Sequence, residues 1–589
     1  MVEISGQQRY SRFRKLLGYL RPHWRITSLG ILALFVVNGL GAYLPLLLSK
    51  AIDELEIAFD FNRVVFHALV LLGLASIMWV IRMASRVLLF GTGRQVEFDL
   101  KQKIFEHLLT LEPAYFARNT AGDLISRSTS DVENIRRLVG FAVLSLANTI
   151  FAYAFRMPLM LAIDPGLSLA AIAVYPLILI LVQMFSDRLR DQQQEVQQSL
   201  SNISELIQED MSGIALIKIY AQEANERQEF RHLSHALLVA NLMLAKTRNI
   251  LFPLLGGLAS ISLLVLVWFG SRAIASGAIS IGNFLALQLL IEGLIFPTAL
   301  LGFTITAYQR GEVSIDRIEA ILLAQPQVDD APTAMSLTQP QGRLTAKQLT
   351  FQYPEMATPA LDQLSFEIEP GEMVAIVGPV GSGKSTLANA LPRLLDIAPN
   401  QLFLDGIDVT QIRLSDLRAA IAYVPQESFL FSTSLKNNIR YGAPLTEQPA
   451  VESAAQQAQI HPEILNFPAT YETIVGERGI TLSGGQRQRT ALARALLVDA
   501  PILVLDDALS SVDNQTATEI LAGLSQGTTR KTVVFISHQL SAAAIADRIF
   551  VMDQGAIVQM GTHTSLLTQP GLYQTLWNQQ KLEEILNES

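Results

Sequence analysis

The chain has 589 residues, half of them hydrophobic and 16% charged, with a formal net charge of −9 and no cysteine. That length exceeds what one core can serve, so two or more domains are expected. The acidic balance argues against nucleic acid as a partner, and the absence of cysteine excludes disulfides, thiolate metal sites and cysteine nucleophiles.

The N-terminal stretch "MVEISGQQRYSRFRKLLGYLRPHWR" is basic. The apolar run after it is too long for a signal h-region, so no cleaved signal peptide is expected. Six apolar segments follow, each near the ~20 residues that cross a bilayer core. They lie near 26–48, 64–84, 141–162, 167–185, 251–271 and 281–303. Short gaps follow the first, third and fifth, and the first gap is acidic, with Asp53, Glu54, Glu56 and Asp60. The long gaps after the second and fourth hold most of the basic residues. A multi-pass protein of the cell (inner) membrane is expected, and the positive-inside rule puts both termini and both long gaps in the cytoplasm, with the soluble half expected there too.

The long gaps keep helical periodicity in "VEFDLKQKIFEHLLTLE" and "QQQEVQQSLSNISELIQEDM". Helices two and four are therefore expected to run well past the bilayer. Each gap then breaks, at "EPAYFARNTAGDL" and "EDMSGIALIKIY". The result predicted is two long helical hairpins, each tipped by a short segment suited to a soluble domain. Inside the spans, Arg156 and Glu292 are charges expected to line a central cavity, as a pair or as a cargo contact.

Residues 322–342, "LLAQPQVDDAPTAMSLTQPQG", lack sustained periodicity and read as a linker. The division expected is a transmembrane domain at 1–322, a linker at 323–342 and a soluble domain at 343–589. In that domain "MVAIVGP", "IAYVPQ", "ILVLD" and "TVVFIS" are apolar throughout. Such runs suit strands buried on both faces of a largely parallel sheet covered by helices, an α/β fold.

"GPVGSGKST" comprises Gly378, Pro379, Val380, Gly381, Ser382, Gly383, Lys384, Ser385 and Thr386 and fits G-x-x-x-x-G-K-[ST]. A strand predicted at Met373–Val377 precedes it, and a helix predicted at Ser385–Leu395 follows. The glycines let backbone N–H groups turn toward phosphate oxygens. Lys384 can reach the β- and γ-phosphates, and the Ser385 hydroxyl can ligate Mg²⁺. Asp506 ends the strand in "ILVLD" and can hold the same ion. "YVPQ" ends a strand at Gln426, whose amide oxygen can join the Mg²⁺ or water shell. "FISH" ends another at His538, where an imidazole can contact the γ-phosphate. "TLSGGQRQR" sets Ser483, Gly484 and Gly485 before a predicted helix, a second phosphate-binding nest. One P-loop already covers the triphosphate, so this nest is expected to serve a nucleotide held by another copy of the domain.

These residues resemble the ATP-binding cassette family, and the whole chain is similar to an exporter-type half-transporter: six membrane spans fused to a P-loop domain. The motif match covers 345–565. It includes Tyr353 in "FQYP", where the family stacks adenine, and the signature Leu482–Gln486, with Ser483, Gly484, Gly485 and Gln486. The D-loop "ALSSVD" and the segment "TIVGERG" belong to it, and "AYFARNTAGDLISRSTSDVENIRR" resembles the exporters' first intracellular loop. The resemblance implies a dimer that sandwiches two ATP molecules, with Mg²⁺, and exports amphipathic drugs or lipids. Asp507, with Gln426 and His538, stands where the family does its hydrolysis, but most members carry Glu at that position. Asp is one methylene shorter, roughly 1.5 Å of reach, and such a displacement can cost ~10²-fold. One half of heterodimeric bacterial exporters carries this change with an intact signature, and "FPTALLGFTITAYQRG" is similar to that subgroup. A heterodimer with a second half-transporter is therefore expected. The alternatives are a homodimeric lipid or peptide exporter, and an ATP-gated or regulatory membrane protein.

Overall fold

The structure, a computed structural model, describes residues 14–57, 60–354, 356–476, 479, 481–525 and 530–588. The chain divides into two compact units. One holds the residues up to Thr110 with Asn119–Ala324; the other holds Leu111–Arg118 with everything from Gln325 onward. The start of the basic N-terminal stretch, and Glu477 and Arg478 of "TIVGERG", lie outside the described residues.

The first unit is built from six long helices: α1 (Trp24–Ile57), α2 (Phe61–Leu108), α3 (Ala121–Ile163), α4 (Pro165–Ser212), α5 (Glu223–Ala275) and α6 (Ile281–Leu322). Among the described residues, these six are long and apolar enough to cross a membrane. The 48 residues of α2 extend about 72 Å, more than twice a ~30 Å core. The long gaps are thus helical. They are interrupted by the short helices Pro113–Arg118 and Ile214–Ile219. α4 is broken at Ala173–Val174, where Pro176 supplies no N–H and its ring would clash with the carbonyl of Ile172. α3 contains two π-helical stretches, Arg127–Asp131 and Leu138–Ala142.

The acidic gap needs correcting. α1 runs on to Ile57, so Asp53, Glu54 and Glu56 lie on a helix. Asp53 accepts from the Gly282 N–H at 2.9 Å and the Ser280 hydroxyl at 2.8 Å, and so caps α6 from a neighbouring helix. Close approach makes this possible: a Cβ on Gly282 would lie 2.3 Å from the Ser49 carbonyl oxygen. At its other end α6 is tied to α3. Arg317 reaches Asp123 at 2.6 Å and Asp131 at 3.0 Å, and Ser314 donates to Asp131 at 2.7 Å.

Arg156 and Glu292 do not pair. Arg156 packs its guanidinium against Gly293, where an added Cβ would lie 2.8 Å from Nε. Its Nε is buried without a hydrogen-bond partner. Glu292 lines a separate ≈240 Å³ cavity with Ser260 and Gln288. Two neighbours on adjacent helical positions, Glu292 and Gly293, thus point to different surroundings.

The second unit contains a six-stranded sheet ordered β10-β9-β3-β8-β7-β6 and a four-stranded one ordered β2-β1-β4-β5. In the larger sheet, β3 (Met373–Val377), β6 (Ile421–Val424), β7 (Ile502–Asp506), β8 (Thr532–Ile536) and β9 (Arg548–Asp553) are parallel; β10 (Ala556–Gly561) is antiparallel. Met373, Ala375 and Val377 join one core; Val374 and Ile376 join the other. Burial on both faces is why these strands read as unbroken apolar runs. The smaller sheet, β1 (Leu344–Phe351), β2 (Leu361–Ile368), β4 (Leu402–Leu404) and β5 (Ile407–Asp408), is antiparallel.

The segment read as a linker is anchored to this unit. Asp416 accepts from the Ser336 hydroxyl and the Leu337 N–H, and the Leu414 N–H donates to Asp330. The helix after the glycine loop is shorter than its predicted span: α7 is Lys384–Ala390. Leu391 keeps helical geometry, but Pro392 has no N–H to continue the ladder, and Arg393 adopts a left-handed φ of 50°.

Candidate functional site

The larger sheet sets the site. The glycine loop follows β3, His538 lies two residues past β8, Asp506 ends β7 with Asp507 next after it, and Gln426 lies two residues past β6. β3, β8, β7 and β6 are consecutive neighbours and all parallel. Four segments distant in sequence therefore open at the same carboxyl edge, where α/β sheets take their ligands. The sequence reading ended these strands at Gln426 and His538; both residues stand past the observed strand ends, and both are exposed.

Two glycines are required by geometry. Gly378 has φ 151° and Gly383 φ 96°; a Cβ there would lie 2.1 Å from the Met552 carbonyl oxygen and 2.3 Å from that of Ala360. Between them the loop wraps the Lys384 ammonium. Its Nζ donates to the carbonyls of Gly378 at 2.8 Å and Pro379 at 2.7 Å, and to Ser382 Oγ at 3.3 Å. Val380 is 90% exposed at the loop's tip, and Gly381 has open space around it. Ser385 and Thr386 open α7.

The Ser385 hydroxyl donates to Asp506 Oδ1 at 2.9 Å. Tyr423, on β6, donates to Asn389 at 2.8 Å and approaches Asp506 Oδ2 at 3.4 Å. Neither Tyr423 nor Asn389 was singled out from sequence; a tyrosine inside the apolar strand "IAYVPQ" was the available signal. Burial pushes the Asp506 carboxyl above the usual range, against the Ser385 hydrogen bond. Burial raises Asp507 as well, and the His538 charge opposes it. Lys384 is held below its ordinary value by burial, against the pull of Asp507 and Asp506. A desolvated carboxylate beside a hydroxyl is an oxygen-only donor set, which suits a small hard cation. No cluster of three His, Asp or Glu side chains occurs among the described residues. A cation here would draw its remaining oxygens from neutral groups such as an amide, from the ligand and from water.

Asp507 has φ 49°, the left-handed region that Asp tolerates better than longer side chains. Its carbonyl accepts from Ser510 Oγ at 3.0 Å. The next turn is clamped by Gln488, which donates to Ser510 Oγ at 2.9 Å and accepts the Ser511 N–H at 2.8 Å. Gln488 is 6% exposed and was missed in the sequence; its signal was a polar residue on the inward face of an amphipathic helix.

That helix is α8 (Gly484–Leu497), and Ser483 is its N-cap. The glycines therefore lie inside its first turn rather than before it. Ser483 and Gln486 form a capping box: Ser483 Oγ accepts the Gln486 N–H at 3.2 Å, and Gln486 Oε1 accepts the Ser483 N–H at 2.9 Å. The Gln486 amide also donates to Glu463 at 2.8 Å. A Cβ on Gly485 would lie 2.8 Å from the Ser511 carbonyl oxygen. The signature and the loop after Asp507 are thus one packed block. None of the hydrogen bonds made by Ser483 and Gln486 reaches the glycine loop.

Tyr353 meets Phe351 edge-on, ring centroids 4.9 Å apart. It faces a ≈730 Å³ cavity also lined by Leu395, Glu112 and Arg118. The segment 111–118 reaches this unit through Glu112, which accepts the Gln327 N–H at 3.1 Å.

Residues 27–298 match the model of the ABC transporter transmembrane region, and 361–510 match the ABC transporter model. The multidrug resistance-like ATP-binding protein MdlA of Escherichia coli is 32% identical over 98% of this chain and 98% of its own length. The chain belongs to the ABC transporter family. An ATP-dependent lipid A-core flippase of Syntrophus aciditrophicus is 30% identical over 99% of this chain and 97% of its own. A solved bacterial Atm1-family ABC exporter with ATP bound superposes with a TM-score of 0.77 at 25% identity, covering 94% of this chain and 99% of that one. This ABC transporter is a multi-pass membrane protein of the exporter type, which binds ATP and couples its hydrolysis to transport.

Proposed function

We propose that this chain is one half of a dimeric exporter that moves amphipathic drugs or lipids across the cell membrane, and that its own ATP site turns over slowly. The relatives' names, a multidrug resistance-like protein and a lipid flippase, support the cargo class. The basic long gaps support a cytoplasmic cassette and cytoplasmic termini. In the slow site Lys384 and the loop Gly378–Thr386 bind the phosphates, and Tyr353 stacks adenine. Ser385, Asp506 and Gln426 would hold Mg²⁺, whose charge would offset that of the β- and γ-phosphates. Ser483, Gly484, Gly485 and Gln486 close the partner's site.

The observation that carries the reading is Asp507. It stands at the end of β7 beside the phosphate loop, where hydrolysis needs a group to orient water, and its side chain is short. His538 remains to contact the γ-phosphate, so binding is preserved more fully than turnover. The intact His538 and signature also support a second reading, a homodimer with two equal sites. Steady-state ATPase of the chain alone, then with its candidate partner half, tests the choice. Low turnover alone and high turnover together is expected; full turnover alone counts for the homodimer.

A further inference from the structure

A cavity of ≈550 Å³ opens between α3, α4, α5 and α6 of the first unit. Four arginines line it, one from each helix: Arg137, Arg190, Arg248 and Arg310. No acidic side chain does. Arg137 pairs with Glu133 one turn away at 3.0 Å. Among the described residues, the side chains of Arg190, Arg248 and Arg310 make no ion pair or hydrogen bond. Ser186 also lines the cavity, and its hydroxyl is buried with no partner.

Height along the helices says what such a cavity faces. The four helices share one end, at Ile163, Pro165, Ala275 and Ile281. Counted from there at 1.5 Å per residue, the four arginines all lie about 38–44 Å along. A bilayer is ~40–45 Å thick with both headgroup layers around a ~30 Å hydrocarbon core, so counted from its outer surface the core ends near ~36 Å and the inner headgroup layer near ~40–45 Å. The guanidiniums thus form one layer at headgroup depth. Phe303, about 33 Å along α6, together with Phe141 and Leu189 supplies apolar wall at the edge of that layer. Snorkelling arginines on the outside of a bundle reach individually for separate phosphates. These four converge on one space.

We propose that this cavity is the entry site for anionic amphiphiles, with the arginines taking a phosphate or carboxylate headgroup and the phenylalanines the start of its tail. This rests on the exporter reading and narrows its cargo from amphipathic molecules in general to anionic ones. Guanidinium is the side chain best matched to planar, bidentate recognition of such groups.

The test uses the full-length transporter in phosphatidylcholine nanodiscs with two probes sharing one acyl tail, lysophosphatidylglycerol and lysophosphatidylcholine. Wild type is expected to bind the anionic probe roughly tenfold or more tightly. Arg190→Gln with Arg310→Gln should erase that preference and leave the zwitterionic probe unchanged, while Arg190→Lys with Arg310→Lys should keep part of it. Equal affinity for both probes in wild type overturns the proposal. A leaflet phospholipid held permanently would offer the same chemistry as a cargo. ATP-dependent translocation of lysophosphatidylglycerol in proteoliposomes separates the two, and binding without translocation overturns the entry-site assignment. Basal ATPase in the same vesicles distinguishes an inactive pump from a wrong cargo.

Discussion

Ser385 Oγ lies 2.9 Å from Asp506 Oδ1, joining the first turn after the phosphate loop to the end of a strand 121 residues away. Asp506 is only 3% exposed, so its charge is costly unless a cation meets it. A metal ion held by this pair, as proposed, would offset that cost. Asp506→Asn keeps an acceptor for the Ser385 hydroxyl but removes the charge. We expect the variant to bind metal-free ATP nearly as well as wild type and to lose the tighter binding that Mg²⁺ confers, together with turnover. Nucleotide titrations with and without a chelator check this. An undiminished Mg²⁺ effect would remove Asp506 from the metal site.

Lys384→Ala removes the ammonium that the loop carbonyls now hold and that phosphate oxygens would receive. No other cation occurs in "GPVGSGKST". ATP binding is expected to weaken by about tenfold or more, and transport to stop. Unchanged nucleotide affinity would sink the phosphate-loop assignment.

Gln488 bridges the Ser510 hydroxyl and the Ser511 N–H. Gln488→Leu leaves the Ser511 N–H without its side-chain acceptor; Ser511 is exposed, so water offsets part of the loss, which should be about 0.5–1.5 kcal/mol. Because Ser511 also packs on Gly485, the change should loosen the signature block. ATP binding to this chain's own phosphate loop should survive while turnover of the assembled transporter falls. Equal loss of binding and turnover would place Gln488 in general stability instead.

Asp53 is the corresponding lock in the membrane unit. Asp53→Ala strips two hydrogen bonds from the start of α6, and Asp53→Asn keeps an acceptor but not the charge that favours a helix N-terminus. The apparent unfolding temperature of the purified transporter should fall for both, and further for Asp53→Ala. An unchanged midpoint would mean that the contact contributes nothing.

Local pattern explains which features were legible in sequence. The six spans and the doubly buried strands are continuous apolar runs, and the glycine loop is a fixed spacing with a strand before it. Asp53 was misplaced because an acidic cluster after an apolar run looks like a loop; only α6 packing against α1 gives its charge a partner. The four-stranded sheet went unread because its strands are short or half exposed, as in the alternating pattern of Leu361–Ile368. Gln488, Tyr423 and Asn389 act through contacts across the fold, which no single-sequence period encodes. Arg156 and Glu292 were individually conspicuous, but helix rotation separates them.

Asp507 offers the sharpest test of the dimer. In the heterodimer its P-loop, Asp506, Asp507 and His538 form the slow site, and Ser483 with Gly484 closes the fast one. The two ends of this cassette should then carry unequal weight. Gly484→Val should nearly abolish turnover, because it crowds Ser511, 3.4 Å from where a Cβ would stand, and spoils the partner's phosphate clamp. Asp507→Asn should cost little. Asp507→Glu restores reach but places a longer side chain at φ 49°, a conformation that disfavours ordinary residues by roughly 1–2 kcal/mol. Its gain in ATPase should therefore be smaller than reach alone suggests. It need not improve transport if long-lived nucleotide holds the cassettes together. In a homodimer both sites are equal, so Asp507→Asn must remove all hydrolysis. The measurement is ATPase of the chain alone and with its partner half. Turnover of about 1 s⁻¹ or more by the chain alone, on the ordinary enzyme scale, eliminated by Asp507→Asn, would overturn the slow-site reading.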